Sequence, residues 1–251
     1  MPENPASYRV VRKKSYLFNK APEHIRESVE GSLKRLNIET IDLLYQHRVD
    51  PAVPVEDVVG TMADLVKEGK IRHIGLSEVS AQTLCRACKV HPITAVQTEY
   101  SLWTREPEAG ILNACRELGV GFVPYSPLGR GFLTGKITDP GVFAEDDFRR
   151  NLPRFQAETM RKNQLLLERL QQVATRYDAT LAQIALAWVM SKGEDIVPIP
   201  GARKIAHLRD NAGAANITLS PEDILTIEDI FTPDNVTGLR YNQGDFNLIE
   251  K

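Results

Sequence analysis

The chain has 251 residues, of which 42% are hydrophobic and 25% charged, and its formal net charge is −2. This length suits one large α/β domain or two small ones, and the near-neutral charge argues against nucleic acid or an acidic membrane surface as a partner. No apolar run approaches the roughly 18 residues of a membrane helix, and the N-terminus lacks the apolar region of a signal peptide.

The three cysteines, Cys85, Cys88 and Cys115, are an odd set without dense spacing. This pattern argues against a disulfide framework and predicts a reducing, cytoplasmic location. Cys85 and Cys88 have the spacing of a redox or zinc motif, but no second Cys or His pair is placed to complete a zinc site. We therefore expect buried helix cysteines and no metal.

The chain divides into three parts on its composition. Residues 1–21, with a basic tract from Arg9 to Lys14, are expected to form an irregular arm. Residues 22–232 carry alternating helical and strand patterns and form the predicted domain. Residues 233–251 are polar and are expected to form an irregular tail.

Within residues 22–232, apolar residues recur first at helical and then at strand spacing, several times in succession. Pro22 opens the first helix at a position where its missing N–H costs nothing. Predicted helices cover 22–36, 54–68, a segment from Ser80 that carries the cysteines, 106–118, 158–176, 180–188, about 204–214 and 221–231. Predicted strands cover 41–45, 71–76, 93–98, 121–125 and 195–201.

This alternation predicts βα units around a parallel sheet, either doubly wound or closed as a (β/α) barrel. Neither a Gly-x-Gly-x-x-Gly nor a Walker pattern is present. Instead, a polar residue or a turn follows each strand: His47, Ser77 with Glu78, Gln97, Tyr125 with Ser126, and Pro200-Gly201. In a barrel those strand ends form the face that carries the active site, so the pattern favours the barrel.

Two loops attract attention. After Tyr125 the chain turns through Gly129 and Gly131, which free backbone N–H groups to face an anion, while Arg130 and Lys136 add charge. The stretch therefore fits either a phosphate-binding loop or a plain strand-to-helix turn. The long loop at 139–157 has little periodicity, and loops of this length are usually functional or disordered.

Seven motifs in the same order and spacing resemble the aldo-keto reductases, most closely the microbial and plant branch with a Gln-His-Arg-Val-Asp motif. They cover nearly all of the chain from Pro22 to Tyr241. The motifs are Tyr45-Gln-His-Arg-Val-Asp50, Gly69-Lys-Ile-Arg-His-Ile-Gly-Leu-Ser-Glu78, Ala95-Val-Gln-Thr-Glu-Tyr-Ser-Leu-Trp103, Tyr125-Ser-Pro-Leu-Gly-Arg-Gly-Phe-Leu-Thr-Gly135, Arg149-Arg-Asn-Leu-Pro-Arg-Phe155, Ile199-Pro-Gly-Ala-Arg203 and Gly238-Leu-Arg-Tyr241.

The resemblance implies an eight-stranded (β/α) barrel that binds NADP(H) at its C-terminal rim and reduces a small-molecule aldehyde or ketone. It implies that His47 is the active-site histidine, that Ser77 and Gln97 bind the nicotinamide carboxamide, and that Tyr125 stacks on the nicotinamide ring. The implied pyrophosphate loop contains Ser126, Pro127, Leu128, Gly129, Gly131 and Lys136. The implied adenosine and 2′-phosphate site contains Gly201, Arg203, His207, Asp210 and Asn211, with Asp210 standing where Glu is more usual.

The sequence departs from the family in one respect. The family takes a catalytic Asp, Tyr and Lys from barrel strands that precede the helix at Pro22, and here only residues 1–21 precede it. The candidates there, Tyr8 and Tyr16 with Lys13, Lys14 and Lys20, lack the family's Asp-x4-Tyr context and are expected in a solvated arm.

We therefore expect a barrel truncated at its N-terminal side, with about five βα units. Its open sheet edges predict self-association, or cover by the arm or tail. Two functions follow: an NADP(H)-dependent carbonyl reductase, or a catalytically inactive barrel that binds nucleotide or serves as an interaction fragment.

Overall fold

The computed structural model describes residues 21–242 and Glu250. Residues 1–20 of the arm predicted at 1–21, with their tyrosines and lysines, lie outside the described residues, as do 243–249 and 251. Within the described residues, four parallel strands form one sheet in chain order. They are β1 (Ile41–Gln46), β2 (Ile71–Ser77), β3 (Ala95–Glu99) and β4 (Gly121–Tyr125).

Helices alternate with these strands and continue after the last of them, which confirms the predicted α/β class with a parallel sheet. They are α1 (Pro22–Leu36), α2 (Val55–Lys67), α3 (Ala81–Val90), α4 (Ile111–Leu118), α5 (Ala157–Arg176), α6 (Leu181–Met190), α7 (Ile205–Gly213) and α8 (Pro221–Ile230). Local chemistry sets several starts: the side chains of Ser80, Thr180 and Ser220 each accept a backbone N–H of the turn that follows. No helix in the described ranges combines the length and apolar character needed to cross a membrane.

Two predicted elements differ from the structure. The strand expected at 195–201 is reduced to two parallel bridges, Phe122 with Ile196 and Tyr125 with Ile199. Pro198 and Pro200 interrupt it because neither has an N–H to donate. The helix expected at 106–118 is divided at Gly110, after a 3-10 turn at Glu106–Ala109.

The cysteine prediction is partly wrong. Cys85 is exposed on α3, Cys88 is half-buried and Cys115 is buried. The buried face of α3 carries Leu84 and Ala87 instead, which turns Cys85 towards solvent. Burial raises the pKa of the Cys88 thiol and brings that of Cys115 to about 12, so neither is a ready thiolate.

The two faces of the sheet differ in cover. On the face towards the helices, Ile74, Val96 and Phe122 are fully buried. On the other, inner face, strand register aligns Tyr45 with Gly75, Ser77 with Gln97, and Glu99 with Tyr125. β1 has β2 as its single strand neighbour among the described residues, and self-association through that edge stays a prediction.

Candidate active site

Four residues predicted to bind the nicotinamide or the substrate lie at one edge of the sheet. Ser77 ends β2, Tyr125 ends β4, and Gln97 lies near the end of β3. Register places these three on the inner face, and His47 directly follows β1 at the same edge, where it is exposed. The carboxyl ends of neighbouring parallel strands lie at one edge of the sheet, so the topology places these four residues at the same edge although they are far apart in the sequence.

Arg48 joins the first two of these strand ends. Its Nη1 atom donates to the hydroxyl of Ser77 at 3.1 Å and to the carbonyl oxygen of His47 at 2.6 Å. The Ser77 side chain is buried, so this hydrogen bond fixes its hydroxyl oxygen. Arg48 was not among the predicted site residues, although it lies inside the Gln-His-Arg-Val-Asp motif.

The hydroxyl of Tyr125 is held from two sides. Arg240 donates to it at 2.7 Å, and the hydroxyl of Tyr241 lies 3.0 Å away. Burial raises the pKa of Tyr125 well above the ordinary range, while the charge of Arg240 opposes that rise. Tyr125 therefore stays neutral at every physiological pH and presents an uncharged aromatic ring at the end of β4.

A buried group of charges lies beside Tyr125. We name it the rim cluster, and it consists of Glu78, Glu99, Arg130 and Arg240. Arg240 reaches Glu78 at 2.5 Å and Glu99 at 3.0 Å, and Arg130 reaches Glu99 at 2.6 Å. The backbone N–H of Glu99 also donates to the carboxylate of Glu78 at 2.9 Å, which ties the Glu78 side chain to the end of β3.

The charges of the rim cluster balance within the protein. Burial alone would raise the pKa of Glu99, but the guanidinium groups of Arg240 and Arg130 outweigh it and hold the pKa below its usual value. Burial alone would lower the pKa of Arg240, but the charges of Glu99 and Glu78 outweigh it and raise the pKa above its usual value. Glu99, Arg130 and Arg240 therefore stay ionised in a site where an unpaired charge would be costly.

The rim cluster corrects two sequence interpretations. The charge of Arg130 was assigned to a phosphate, but its partner is Glu99, because a buried carboxylate requires a nearby cation. Arg240 lies in the polar segment expected to form an irregular tail, yet it is only 6% exposed. The available signal was the pair of acidic residues at neighbouring strand ends, which needed a counter-charge.

The loop after β4 has an unusual backbone. Positive φ angles occur at Ser126 (49°), Gly129 (55°), Arg130 (56°), Gly131 (97°) and Gly135 (72°). These are left-handed conformations, two of them at non-glycine residues, where they cost energy. The 3-10 segment at Gly129–Thr134 is interrupted by a kink at Arg130 and Gly131, and whether the loop binds a phosphate stays a prediction.

The residues of this loop differ in their exposure to solvent. Leu128 and Gly129 are buried, and Lys136 is exposed at the end of the loop. A side chain at Gly129 would bring its Cβ within 2.9 Å of the Trp103 ring, so only glycine fits there. With Arg130 paired, Lys136 is the cation of the predicted loop set that remains for a phosphate.

The long loop at 139–157 braces the loop after β4. It contains three short 3-10 turns, Pro140–Val142, Phe148–Asn151 and Pro153–Phe155. Arg149 donates to the carbonyl oxygen of Arg130 at 3.0 Å and forms an ion pair with Asp147 at 2.6 Å. The hydrogen bond from Arg149 lowers the pKa of Asp147, and the charge of Arg203 contributes the smallest part of that shift.

The predicted adenosine site surrounds the start of α7. Its members at the N-terminal side are exposed, and those further along the helix are half-buried. The five residues are Gly201, Arg203, His207, Asp210 and Asn211. Asp210 accepts from the hydroxyl of Thr180 at 3.2 Å, so it also supports the cap of α6.

Comparison of the sequence with protein families identifies the family of the chain. The model of the Aldo/keto reductase family matches residues 5–231. A soybean (Glycine max) protein named "Probable aldo-keto reductase 1" is 51% identical over 224 residues, which are 89% of this chain and 64% of that protein. The chain therefore spans less than two thirds of the length of this relative.

Two solved structures resemble the chain closely. The glycerol dehydrogenase of Gluconobacter oxydans has a TM-score of 0.80 at 29% identity, with 86% of this chain and 66% of that one covered. A thermostable aldo-keto reductase, crystallised with the inhibitor epalrestat, has a TM-score of 0.66 at 31% identity, with 83% and 66% covered. The predicted barrel class is thereby confirmed.

Proposed function

We propose, because the chain belongs to the aldo/keto reductase family, that it binds NADP(H) at the carboxyl edge of its sheet and reduces an aldehyde or ketone to an alcohol. One observation carries the proposal. Ser77, Gln97 and Tyr125 share the inner face of the adjacent strands β2, β3 and β4, and His47 follows β1 at the same edge.

The chemistry of these side chains fits a nicotinamide. A carboxamide needs one donor and one acceptor for its two polar atoms, and a serine hydroxyl with a glutamine amide offers both. The neutral ring of Tyr125 suits stacking on a flat heterocycle. In β/α barrels this edge is also where cofactors and substrates bind.

The remaining parts of the cofactor have candidate partners nearby. The left-handed turns after Tyr125, with the exposed Lys136, suit a pyrophosphate. Arg203, just before α7, suits the 2′-phosphate because a guanidinium pairs with a phosphate in a forked geometry and the helix N-terminus favours an anion. This is the basis for preferring NADP(H) over NAD(H).

Bound NADPH would supply a hydride to the carbonyl carbon. The alkoxide that forms needs a proton, and a positioned general acid typically contributes about 10²–10⁴-fold to such a step. His47 is the candidate donor at this edge, since imidazole exchanges a proton near neutral pH. Its exposure leaves room for a substrate beside it.

A second candidate function is nucleotide binding without turnover. The inner-face tyrosines Tyr45 and Tyr125 have no hydrogen bond to a lysine in the described part of the chain. The tyrosine–lysine pair that the family resemblance implies is thus not formed by these two residues. A domain with the cofactor residues but without that pair would bind NADP(H) and reduce carbonyls poorly.

Titration of the 251-residue chain with NADPH and NADH, followed by nucleotide fluorescence, tests the proposal. We expect saturable binding with NADPH favoured, and consumption of NADPH when an aldehyde is added. Binding without consumption would support the second function. Absence of binding by either nucleotide would refute both.

A further inference from the structure

Three neighbouring strand ends meet at one guanidinium group. Arg240 donates to Glu78 after β2 at 2.5 Å, to Glu99 at the end of β3 at 3.0 Å, and to Tyr125 at the end of β4 at 2.7 Å. Glu78, Glu99 and Arg240 are all buried, so water cannot replace these hydrogen bonds cheaply. A single side chain therefore sets the spacing of three strand ends.

These contacts are immediately next to the residues proposed to bind the nicotinamide. Ser77 precedes Glu78, and Gln97 lies two residues before Glu99 on the same strand face. Tyr125 receives the hydrogen bond itself. A displacement of Arg240 would therefore be transmitted to all three.

The chemical nature of arginine matters here. A guanidinium is planar and rigid and can donate in several fixed directions, whereas a lysine ammonium is a point charge on a flexible stem. Nη2 of Arg240 serves both Glu78 and Tyr125, while Nε serves Glu99. A lysine would keep the charge but could not reproduce this division of donors.

The Tyr125 ring needs such a restraint if it is to stack. Its hydroxyl is held by Arg240 and by Tyr241, and the guanidinium of Arg240 lies 4.9 Å from the centre of the Tyr241 ring. Holding the hydroxyl at the para position fixes the direction of the ring's long axis before any ligand arrives. Groups preorganised in this way bind a flat partner without paying for ordering at the moment of binding.

We propose that Arg240 is a positioning residue of the nicotinamide subsite, which holds the Tyr125 ring and the strand ends carrying Ser77 and Gln97 in the geometry that accepts the nicotinamide. This inference rests on the proposed function. Within the described residues, the hydrogen bonds and ion pairs of Arg240 go to Glu78, Glu99 and Tyr125, and none goes to Lys136 or to α7, where the phosphates and adenosine are proposed to bind. Its influence should therefore be confined to ligands that carry a nicotinamide.

A pair of ligands separates positioning from general support of the fold. NADPH carries the nicotinamide, and adenosine 2′,5′-bisphosphate lacks it but keeps the 2′-phosphate. In Arg240→Lys we expect NADPH affinity to fall about tenfold, the equivalent of one charge-assisted hydrogen bond, and bisphosphate affinity to change less than about twofold. Arg105→Lys is the matched control and should change neither affinity. Arg105 is half-buried and donates two hydrogen bonds to the carboxylate of Glu108.

Tyr125→Phe guards against an Arg240 variant that fails to fold. It keeps the ring and removes only the hydroxyl held by Arg240, so NADPH affinity should fall about threefold, within the range of a neutral hydrogen bond, with bisphosphate binding unchanged. Tyr177→Phe, which removes a hydroxyl bonded to Asp223 at 2.7 Å, is its control.

Equal losses for the two ligands, or unchanged NADPH binding in Tyr125→Phe, would overturn the inference. A wild-type chain that binds the bisphosphate as tightly as NADPH would overturn it too, while leaving nucleotide binding intact. A wild-type chain that binds neither ligand would refute the proposed function, and the positioning role with it.

Discussion

The two ends of the proposed cofactor site are built differently. At the nicotinamide end, Tyr125, Glu78 and Glu99 are tied together through the buried Arg240. At the adenosine end, Arg203 and His207 are exposed, and α7 contributes no buried residue. The nicotinamide end is thus held by internal ion pairs before binding, while the adenosine end relies on solvent-exposed charged side chains. Substitutions at the two ends should therefore act on different quantities.

The largest contrast is expected in turnover. The 251-residue chain should bind NADPH but reduce aldehydes slowly, because among the described residues neither Tyr45 nor Tyr125 pairs with a lysine, and a general acid is worth about 10²–10⁴-fold. The residual rate should rise as pH falls toward about 6, where an ordinary imidazole gains its proton, and should vanish in His47→Ala.

Stopped-flow and steady-state NADPH absorbance measure that rate. His91→Ala, a histidine remote from the strand ends, is the control and should leave it unchanged. Rapid turnover that survives His47→Ala would show that another residue, such as Tyr8 or Tyr16, supplies the proton.

The next contrast is in stability. Glu99→Gln keeps the shape of the side chain but leaves Arg130 and Arg240 short of a buried anion, and breaking a buried ion pair typically costs about 3–5 kcal/mol. Urea unfolding followed by circular dichroism measures the free energy of unfolding. Glu27→Gln, on the exposed side of α1, should show no measurable loss. A Glu99→Gln variant as stable as wild type would mean that the rim cluster does not hold the strand ends.

A smaller contrast is expected in cofactor choice. Arg203→Ala should weaken NADPH about 10- to 150-fold, the range of a lost charge-assisted hydrogen bond, and leave NADH nearly unchanged. The free energy of unfolding should stay at the wild-type value, since Arg203 is exposed. Parallel losses of NADPH and NADH affinity would show that Arg203 supports the fold and does not bind the 2′-phosphate.

The smallest effect is on the acid limb of stability. The pKa of Glu99 is lowered in the folded state, so its contribution is fully present above the unfolded value of about 4.3 and is lost as pH falls through the folded value. Wild type should therefore lose stability more steeply than Glu99→Gln as pH falls below about 4.3. Chemical denaturation at a series of pH values gives the two slopes, and identical slopes would contradict the lowered pKa.

The sequence was informative where local pattern decides structure. Alternating periodicity predicts β1 to β4 within two residues at each end, and the polar residues after them mark one edge of the sheet. Pro198 and Pro200 carried the signal that weakens the last strand, but the apolar run around them outweighed it. Periodicity alone does not predict the break in the helix at Gly110 or the exposure of Cys85.

The burial of Arg240 could not be predicted because it depends on contacts across 162 residues with Glu78 and across 141 residues with Glu99. Nothing local distinguishes a tail arginine in water from one between two carboxylates. The same holds for Arg48, whose role follows from the neighbouring strand end of Ser77.

Hydrogen–deuterium exchange of the 251-residue chain tests most directly that the carboxyl edge of the sheet binds the nicotinamide half of NADP(H). NADPH should slow amide exchange in three regions: the start of α7, the segment from Ser126 to Lys136, and the ends of β2 and β3. Adenosine 2′,5′-bisphosphate should slow exchange at the start of α7 and leave the ends of β2 and β3 at their ligand-free rates. The same protection pattern for both ligands, or protection by NADPH that spares the strand ends, would contradict the account.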